Sequence, residues 1–130
     1  MVVLDTNALV FDALDPKRLT RRAAKAIESG AAAGRLACCD ISLWEIAMLI
    51  AKGRLEPGTS TDEFLHAVIS ARRLDVLPIT PEIAVLAQQI ELTHGDPADR
   101  LIAATAIHHR ARLVTADHTL RELSSVDAVW

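Results

Sequence analysis

Short apolar runs alternate along the chain with longer stretches in which apolar residues recur at helical spacing. The short runs predict buried strands, and the longer stretches predict amphipathic helices. Strands that alternate with helices are typical of a parallel sheet covered on both faces. We therefore predict a three-layer α/β/α fold with a central parallel sheet of four or five strands, the strand segments being 2–4, 36–39, 76–79, 113–115 and 128–130.

The helical stretches have recognisable boundary residues. Gly34 is expected to end the helix at 18–33 and His94-Gly95 the helix at 81–93, whereas Asp96 and Pro97 are typical of a helix start. Ser42 and Glu45 have the S-x-x-E spacing of a capping box. A short helix or turn is expected at 8–11, and further helices at 18–33, 43–52, 61–73, 81–93, 96–106 and 118–123.

One predicted helix has a basic side, formed by Arg18, Arg21, Arg22 and Lys25 at i, i+3, i+4 and i+7. Two interpretations are open for this stripe. It is either an ordinary solvated face or a surface that contacts phosphates or a partner.

Composition narrows the class of protein. The 130 residues are 51% hydrophobic and 24% charged, as expected for one folded domain over residues 1–130. Aromatic residues make up only 3%, which disfavours an RNA-binding sheet that stacks bases. The net charge of -3 means that any nucleic-acid binding must use a local basic patch. Cys38 and Cys39 are expected to be buried, reduced thiols. With no leader and no apolar run of membrane length, we expect a cytoplasmic protein without a membrane partner.

Acidic residues occupy equivalent places after successive strands. Each lies at a predicted strand end or early in the next helix, and together they are Asp5, Glu45, Asp99 and Asp117. Because the carboxyl ends of parallel strands meet at one edge of a sheet, we expect them to lie close together. Taken singly, Glu45, Asp99 and Asp117 could be ordinary helix-start residues. Asp5 ends a buried strand, where an unpaired carboxylate is unfavourable, and so it indicates a functional crevice.

Carboxylates without histidine or cysteine beside them suit Mg²⁺, or alternatively Mn²⁺, better than Zn²⁺. An ion held in this way lowers the pKa of a bound water and offsets charge during phosphodiester hydrolysis. Glu45 or Asp117 could then accept the proton of that water. The residues alone therefore favour metal-dependent hydrolysis of a phosphate ester.

Four motifs in this order resemble the PIN domain, and within it the VapC-type toxins of bacterial toxin–antitoxin pairs. They are V-L-D-T-N at 3–7, S-L-W-E-I at 42–46, D-P-A-D-R-L-I-A-A-T-A at 96–106 and T-A-D at 115–117. The resemblance implies an Mg²⁺-dependent endoribonuclease whose acidic quartet is Asp5, Glu45, Asp99 and Asp117. Asp5 and Asp99 would be the direct metal ligands, with Thr6, Asn7 and Thr115 orienting carboxylates or water and Asp96 acting as an N-cap.

The resemblance also implies partners: an RNA substrate, a cognate antitoxin and a second copy in a homodimer. Helices that carry Trp44, Met48 and Phe64 could form an apolar dimer face, although core packing explains these residues equally well. Candidates for phosphate contacts are Lys52, Arg54 and Arg100, and Arg100 could instead brace the carboxylates.

The chain lacks residues that two other classes of protein with a similar first strand require. A phosphatase of the haloacid dehalogenase type needs a second acid where this chain has Asn7, and a receiver domain needs a late lysine, which is missing after Lys52. His108 and His109 are neighbours on a helix and are not expected to share a metal; His118 is a further lone candidate. The remaining alternative is a catalytically inactive PIN-like module that only binds proteins.

Overall fold

The parallel sheet is organised around the first strand. The computed structural model describes residues 1–92 and 96–130, and within them the strands are β1 (Val2–Leu4), β2 (Leu36–Cys39), β3 (Asp75–Leu77), β4 (Arg112–Val114) and β5 (Asp127–Val129). They form one five-stranded sheet in the order β3-β2-β1-β4-β5, and every pairing is parallel. The predicted parallel sheet is thus confirmed, with β1 at its centre and the predicted last strand at an edge.

Helices cover both faces of this sheet. Their bounds are α1 (Thr6–Leu14), α2 (Arg21–Ala32), α3 (Ile41–Ala51), α4 (Thr61–Ala71), α5 (Pro81–Gln89), α6 (Pro97–His108) and α7 (His118–Glu122), with a 3-10 helix at Pro16–Arg18. Side chains alternate along β1, so Val2 and Leu4 pack with α1 to α4 on one face while Val3 packs with α5 to α7 on the other. This is the three-layer α/β/α arrangement that the sequence predicts.

Helix α2 begins later than predicted. The Thr20 hydroxyl accepts a hydrogen bond from the Ala23 amide at 3.1 Å and caps the helix, which therefore starts at Arg21. Arg18 belongs to the preceding 3-10 helix, and its guanidinium carbon lies 4.1 Å from the centroid of the Phe11 ring. The predicted stripe of four cations on one helix is therefore wrong for Arg18, and only Arg21, Arg22 and Lys25 lie on α2.

Helix α3 begins earlier than predicted, at Ile41 with Asp40 as N-cap residue. Ser42 is fully buried inside the first turn, and its hydroxyl lies 2.9 Å from that of Thr6 instead of capping α3. The predicted capping box is therefore wrong, because α3 already begins at Ile41, one residue before Ser42.

Other boundaries shift by a few residues. Strand β3 ends at Leu77, before Pro78, which lacks an amide hydrogen. Helix α5 ends at Gln89, and Ile90 is buried beyond its end. The predicted stop at His94-Gly95 lies outside the described residues. Within the described part of the chain, no helix is long and apolar enough to cross a membrane.

Candidate active site

Acidic residues from four parts of the chain gather at the carboxyl edge of the sheet. Asp5 directly follows β1, Glu45 lies near the start of α3 after β2, and Asp117 caps α7 just after β4. Asp99 is the third residue of α6, a helix that packs against α3. The negative charges of Asp5, Glu45, Asp96 and Asp117 all raise the pKa of Asp99. These carboxylates therefore share one electrostatic environment.

Asp5 is a buried carboxylate that is held on both oxygens. Its side chain is 5% exposed; Oδ1 accepts a hydrogen bond from the Thr6 amide at 2.8 Å, and Oδ2 accepts one from the Thr115 hydroxyl at 2.7 Å. Burial raises the pKa of Asp5, the two hydrogen bonds lower it in part, and the charges of Asp117 and Asp96 raise it further. The net result is a raised pKa in a carboxylate of fixed orientation.

Thr115 connects two acids of the cluster. Its buried hydroxyl donates to Asp5 and accepts a hydrogen bond from the Asp117 amide at 3.0 Å. The Asp117 Oδ1 atom in turn accepts from the Leu120 amide at 3.1 Å and from the Thr119 hydroxyl at 2.7 Å. The end of β4 and the start of α7 are thus fixed relative to Asp5.

A second set of hydroxyl groups orients Glu45. The Thr6 hydroxyl donates a short hydrogen bond to Glu45 Oε1. Because Thr6 has one hydroxyl proton and gives it to Glu45, Ser42 must donate to Thr6 across their 2.9 Å contact. Ser42 is a site residue that the sequence analysis missed. Its i, i+3 spacing from Glu45 places both on one face of α3, but that signal was interpreted as a cap.

Asp99 is half-buried beside four other acids of the cluster. Burial and then the charges of Asp96, Asp5, Asp117 and Glu45 raise its pKa from 3.8 to about 7. Burial also raises the pKa of Glu45, the Thr6 hydrogen bond lowers it in part, and the charges of Asp96 and Asp5 raise it again. A cation in this crevice would favour the charged carboxylates, which burial and mutual repulsion both disfavour.

Asp96 supports the cluster from the start of α6. Its Oδ1 atom accepts a hydrogen bond from the Ala98 amide at 3.0 Å, and Pro97 occupies the first helical position, as the sequence predicts. This cap fixes the turn that carries Asp99. The exposed Asp96 carboxylate also adds negative charge at the mouth of the crevice.

The donor set suits a hard divalent cation with few protein ligands. Across residues 1–92 and 96–130, no group of three or more histidine, cysteine, aspartate or glutamate side chains is placed to hold a metal ion. Mg²⁺ commonly keeps several waters and uses only one or two carboxylates, so two ligands such as Asp5 and Asp99 are sufficient. The oxygen-only chemistry of the crevice fits Mg²⁺ or Mn²⁺ in this hydrated form and does not fit a closed zinc site.

Some predicted site residues lie elsewhere. Asn7 is exposed on α1, and no hydrogen bond joins it to a carboxylate within the parts of the chain that are described. Lys52 and Arg54 are exposed just beyond the far end of α3. Arg100 has a further role that the sequence did not predict: its Nη1 atom donates to the carbonyl oxygens of Ile90 at 2.5 Å and Ala87 at 3.5 Å. Arg100 thus secures the end of α5, whose last carbonyls need donors.

The remaining candidates divide between core and surface. Phe64 is 6% exposed and packs in the core, which is the alternative left open for it, whereas Trp44 is 59% exposed. The rings of His108 and His109 touch edge to face at 5.1 Å, and His118 pairs with Glu122 at 2.9 Å. Both cysteines are free and buried, as predicted.

Comparison with known proteins gives the same family over nearly the whole chain. A family model described as PIN domain matches residues 2–126. The chain is 38% identical over 121 residues to Ribonuclease VapC22 of Mycobacterium tuberculosis, which covers 92% of this chain and 89% of that protein.

Solved structures show the same fold at lower identity. A crystal structure of VapBC2 from Rickettsia felis, bound to a DNA fragment from its promoter, matches with a TM-score of 0.76 at 20% identity and covers 99% of this chain and 98% of that chain. A toxin–antitoxin complex from Klebsiella pneumoniae matches with a TM-score of 0.63 at 20% identity, covering 100% of this chain and 97% of that chain.

Proposed function

Since this chain belongs to the PIN domain family, we propose that it is a metal-dependent endoribonuclease and the toxin of a toxin–antitoxin pair, with residues 1–130 forming one domain. The observation that carries the proposal is the acidic crevice, in which Asp5, Glu45, Asp99 and Asp117 come from distant parts of the chain. The name of the 38% identical relative supports RNA as the substrate.

The acids divide between two tasks in the proposed mechanism, metal binding and proton transfer. Asp5 and Asp99 would hold Mg²⁺, or Mn²⁺ in its place. The bound ion would supply a water of lowered pKa and would offset the charge that develops on the phosphodiester. Thr115 and the Thr6 amide keep Asp5 in one orientation, so little reorganisation is needed when the ion binds.

Glu45 or Asp117 would accept the proton of the attacking water. Glu45 has a raised pKa and is oriented by Thr6, which brings its basicity closer to that needed at neutral pH. Asp117 is already engaged by Leu120 and Thr119, so its carboxylate is held more firmly. These contacts favour Glu45 as the base.

Substrate and partner contacts extend beyond the crevice. Lys52 and Arg54 are candidates for contacts with RNA phosphates, because both are exposed cations past the end of α3. An antitoxin partner is supported by the structural neighbours, whose titles describe VapBC2 and a toxin–antitoxin complex. The exposed Trp44 is the strongest candidate for a homodimer contact.

We place the proposed ribonuclease activity in the cytoplasm.

The experiment that tests the function compares cleavage of a structured RNA by wild type, Asp5→Asn and Asp75→Asn in Mg²⁺ and in EDTA. Asp75 is an exposed aspartate at the opposite edge of the sheet and provides a matched control. We expect Mg²⁺-dependent cleavage by wild type and Asp75→Asn, and none by Asp5→Asn. Absence of Mg²⁺-dependent cleavage by all three proteins would favour the alternative, a catalytically inactive interaction module. Circular dichroism melting of each variant controls for folding.

A further inference from the structure

A basic cavity lies at the amino edge of the sheet, where β1 and β4 begin, whereas the acids lie at the carboxyl edge. It has a volume of about 470 Å³ and opens between α2 and the starts of β1 and β4. We propose that this cavity is a second, non-catalytic site that binds a nucleotide through its phosphate. Nothing in the proposed hydrolytic mechanism uses it.

The cavity is lined by positive charge. Arg22 and Lys25 come from α2, Arg35 precedes β2, and Arg112 begins β4; no aspartate or glutamate of the described chain lines it. Arg22, Lys25 and Arg35 form no ion pair within residues 1–92 and 96–130. Three converging cations without carboxylate partners repel one another, and an anion would relieve that repulsion.

The acids nearest to the cavity do not neutralise its positive charge. Glu28, the acid of α2, accepts a hydrogen bond from Arg72 at 2.9 Å and is not part of the cavity wall. Asp127 reaches Arg112 only at 3.8 Å, and both side chains are at least half exposed. The positive charge of the cavity is therefore left largely uncompensated by the protein.

The floor of the cavity is apolar and closely packed. It includes Val2, Ala26 and Val129, together with Gly30. A Cβ atom at Gly30 would lie 3.0 Å from the Val2 Cβ atom, so glycine lets α2 approach β1 closely here. Small-molecule sites commonly measure about 300–1,000 Å³ and combine an apolar wall with a few polar groups. The cavity suits a mononucleotide, whose base or sugar would rest on the floor and whose phosphate would meet the basic rim.

Phosphate fits this rim better than the carboxylates of an acidic peptide. A terminal phosphate carries up to about two charges and three acceptor oxygens on one atom, and arginine side chains bind it in a two-pronged geometry. The nucleotide could be free in solution or part of an RNA chain. The RNA source rests on the proposed ribonuclease function, whereas binding of a free nucleotide does not. Strands of three residues span only about 10 Å, so a short RNA can reach both edges of the sheet.

The first test measures binding without metal. We titrate three ligands in EDTA: AMP, inorganic phosphate and adenosine. Binding to wild type and to the Arg22→Ala, Lys25→Ala and Arg21→Ala variants is measured from the chemical shifts of the backbone amides. Arg21 is the matched control, since it is an exposed arginine of α2 beside Arg22 that does not line the cavity. We expect AMP to shift Val2, Gly30 and Arg35, adenosine to bind more weakly, and the Arg22 and Lys25 variants to lose at least about fivefold in affinity.

Any of four results would overturn the proposal. Three of them are no AMP or phosphate shifts at millimolar concentrations, shifts confined to the acidic edge, and equal losses in the Arg21→Ala variant. A polyglutamate peptide that binds the cavity when phosphate and AMP do not would also overturn it. Melting curves show whether the variants are folded.

The second test asks which source supplies the nucleotide. RNA binding is measured by fluorescence anisotropy in the Asp5→Asn background, with and without Arg22→Ala, over a range of salt concentrations. If RNA occupies the cavity, the logarithmic salt slope should fall by about 0.7 for the lost contact, equivalent to about fivefold in affinity at about 0.1 M salt. An unchanged slope together with AMP binding supports the free-nucleotide source. Failure of RNA cleavage by wild type would instead contradict the proposed function and leave these binding measurements intact.

Discussion

Individual carboxylates in this crevice differ in how their charge is supported. Asp5 is almost completely buried but receives two hydrogen bonds, from the Thr6 amide and the Thr115 hydroxyl. Asp99 is half-buried, and its pKa is raised by burial and by four neighbouring acids. Single substitutions can separate these two effects.

We expect Asp99→Asn to stabilise the metal-free protein at about pH 8 and to change little at about pH 5. Burial and neighbouring charges raise the pKa of Asp99 from 3.8 to about 7 in the folded state. The folded protein thus holds a proton that the unfolded chain releases, so its free energy of unfolding falls as pH rises from about 4 to 7. Urea denaturation of both proteins at the two pH values measures this difference, with Asp75→Asn as control. An equal effect at both pH values would contradict it.

We expect Thr115→Val to reduce RNA cleavage strongly and to lower the free energy of unfolding by about 1–3 kcal/mol. The change removes a donor to Asp5 and an acceptor for the Asp117 amide without changing shape. Thr105→Val is the matched control, because Thr105 is equally buried but donates within α6 to the Leu101 carbonyl. Cleavage assays and urea denaturation measure both variants. Equal activity in the two would show that Thr115 does not orient the site.

Sequence could place the acids, and the family resemblance implied that Thr6 and Thr115 orient them, but it did not indicate Ser42. Asp5 and Asp117 are predictable because Asp5 directly follows an apolar strand and Asp117 lies just past the end of another. The Thr6–Ser42 contact was missed because it depends on α3 starting at Ile41 and on how α1 packs against α3. Tertiary packing of this kind leaves no local pattern in a sequence.

At the level of elements, short capping residues determine where several helices begin, and one long side chain secures the place where α5 ends. Thr20, Ser60 and Thr80 accept hydrogen bonds from the first turns of α2, α4 and α5. The predicted start of α2 is wrong because apolar periodicity alone does not show that Thr20 supplies this cap. Arg100 closes the far end of α5 from a neighbouring helix, a contact that spacing along the chain does not indicate.

We expect Arg100→Met to lower the free energy of unfolding by about 1–3 kcal/mol and to leave the KM for RNA unchanged. The methionine keeps the apolar stem of the side chain but cannot donate to the Ile90 and Ala87 carbonyls. Urea denaturation and cleavage kinetics separate the two effects. A raised KM with unchanged stability would return Arg100 to the group of phosphate-binding residues.

The whole molecule has edges of opposite charge. Acids gather where the parallel strands end, and the basic cavity opens where β1 and β4 begin. The parallel sheet could be predicted from alternating strands and helices, because each crossover requires a helix. The strand order β3-β2-β1-β4-β5 could not, since it depends on pairings between segments far apart in the chain.

We expect Mg²⁺ to raise the melting temperature of wild type and Asp75→Asn, but not of Asp5→Asn, at constant ionic strength. Binding to the folded state alone stabilises it by about 2.7 kcal/mol when the ion is at about one hundred times its Kd. Thermal melts in MgCl₂ and in NaCl of matched ionic strength make the comparison. Equal stabilisation of all three proteins would place the ion away from Asp5.

The position of Asp5 directly after the middle strand has a consequence for the synthesis of this protein. Its carboxylate is oriented by Thr115, which leaves the ribosome 110 residues later. The Thr115 hydrogen bond to Asp5 therefore cannot form in a nascent chain until Thr115 has been synthesised. Under the proposed function, a nascent chain that has not reached Thr115 would lack an oriented Asp5 and, with it, the nuclease activity.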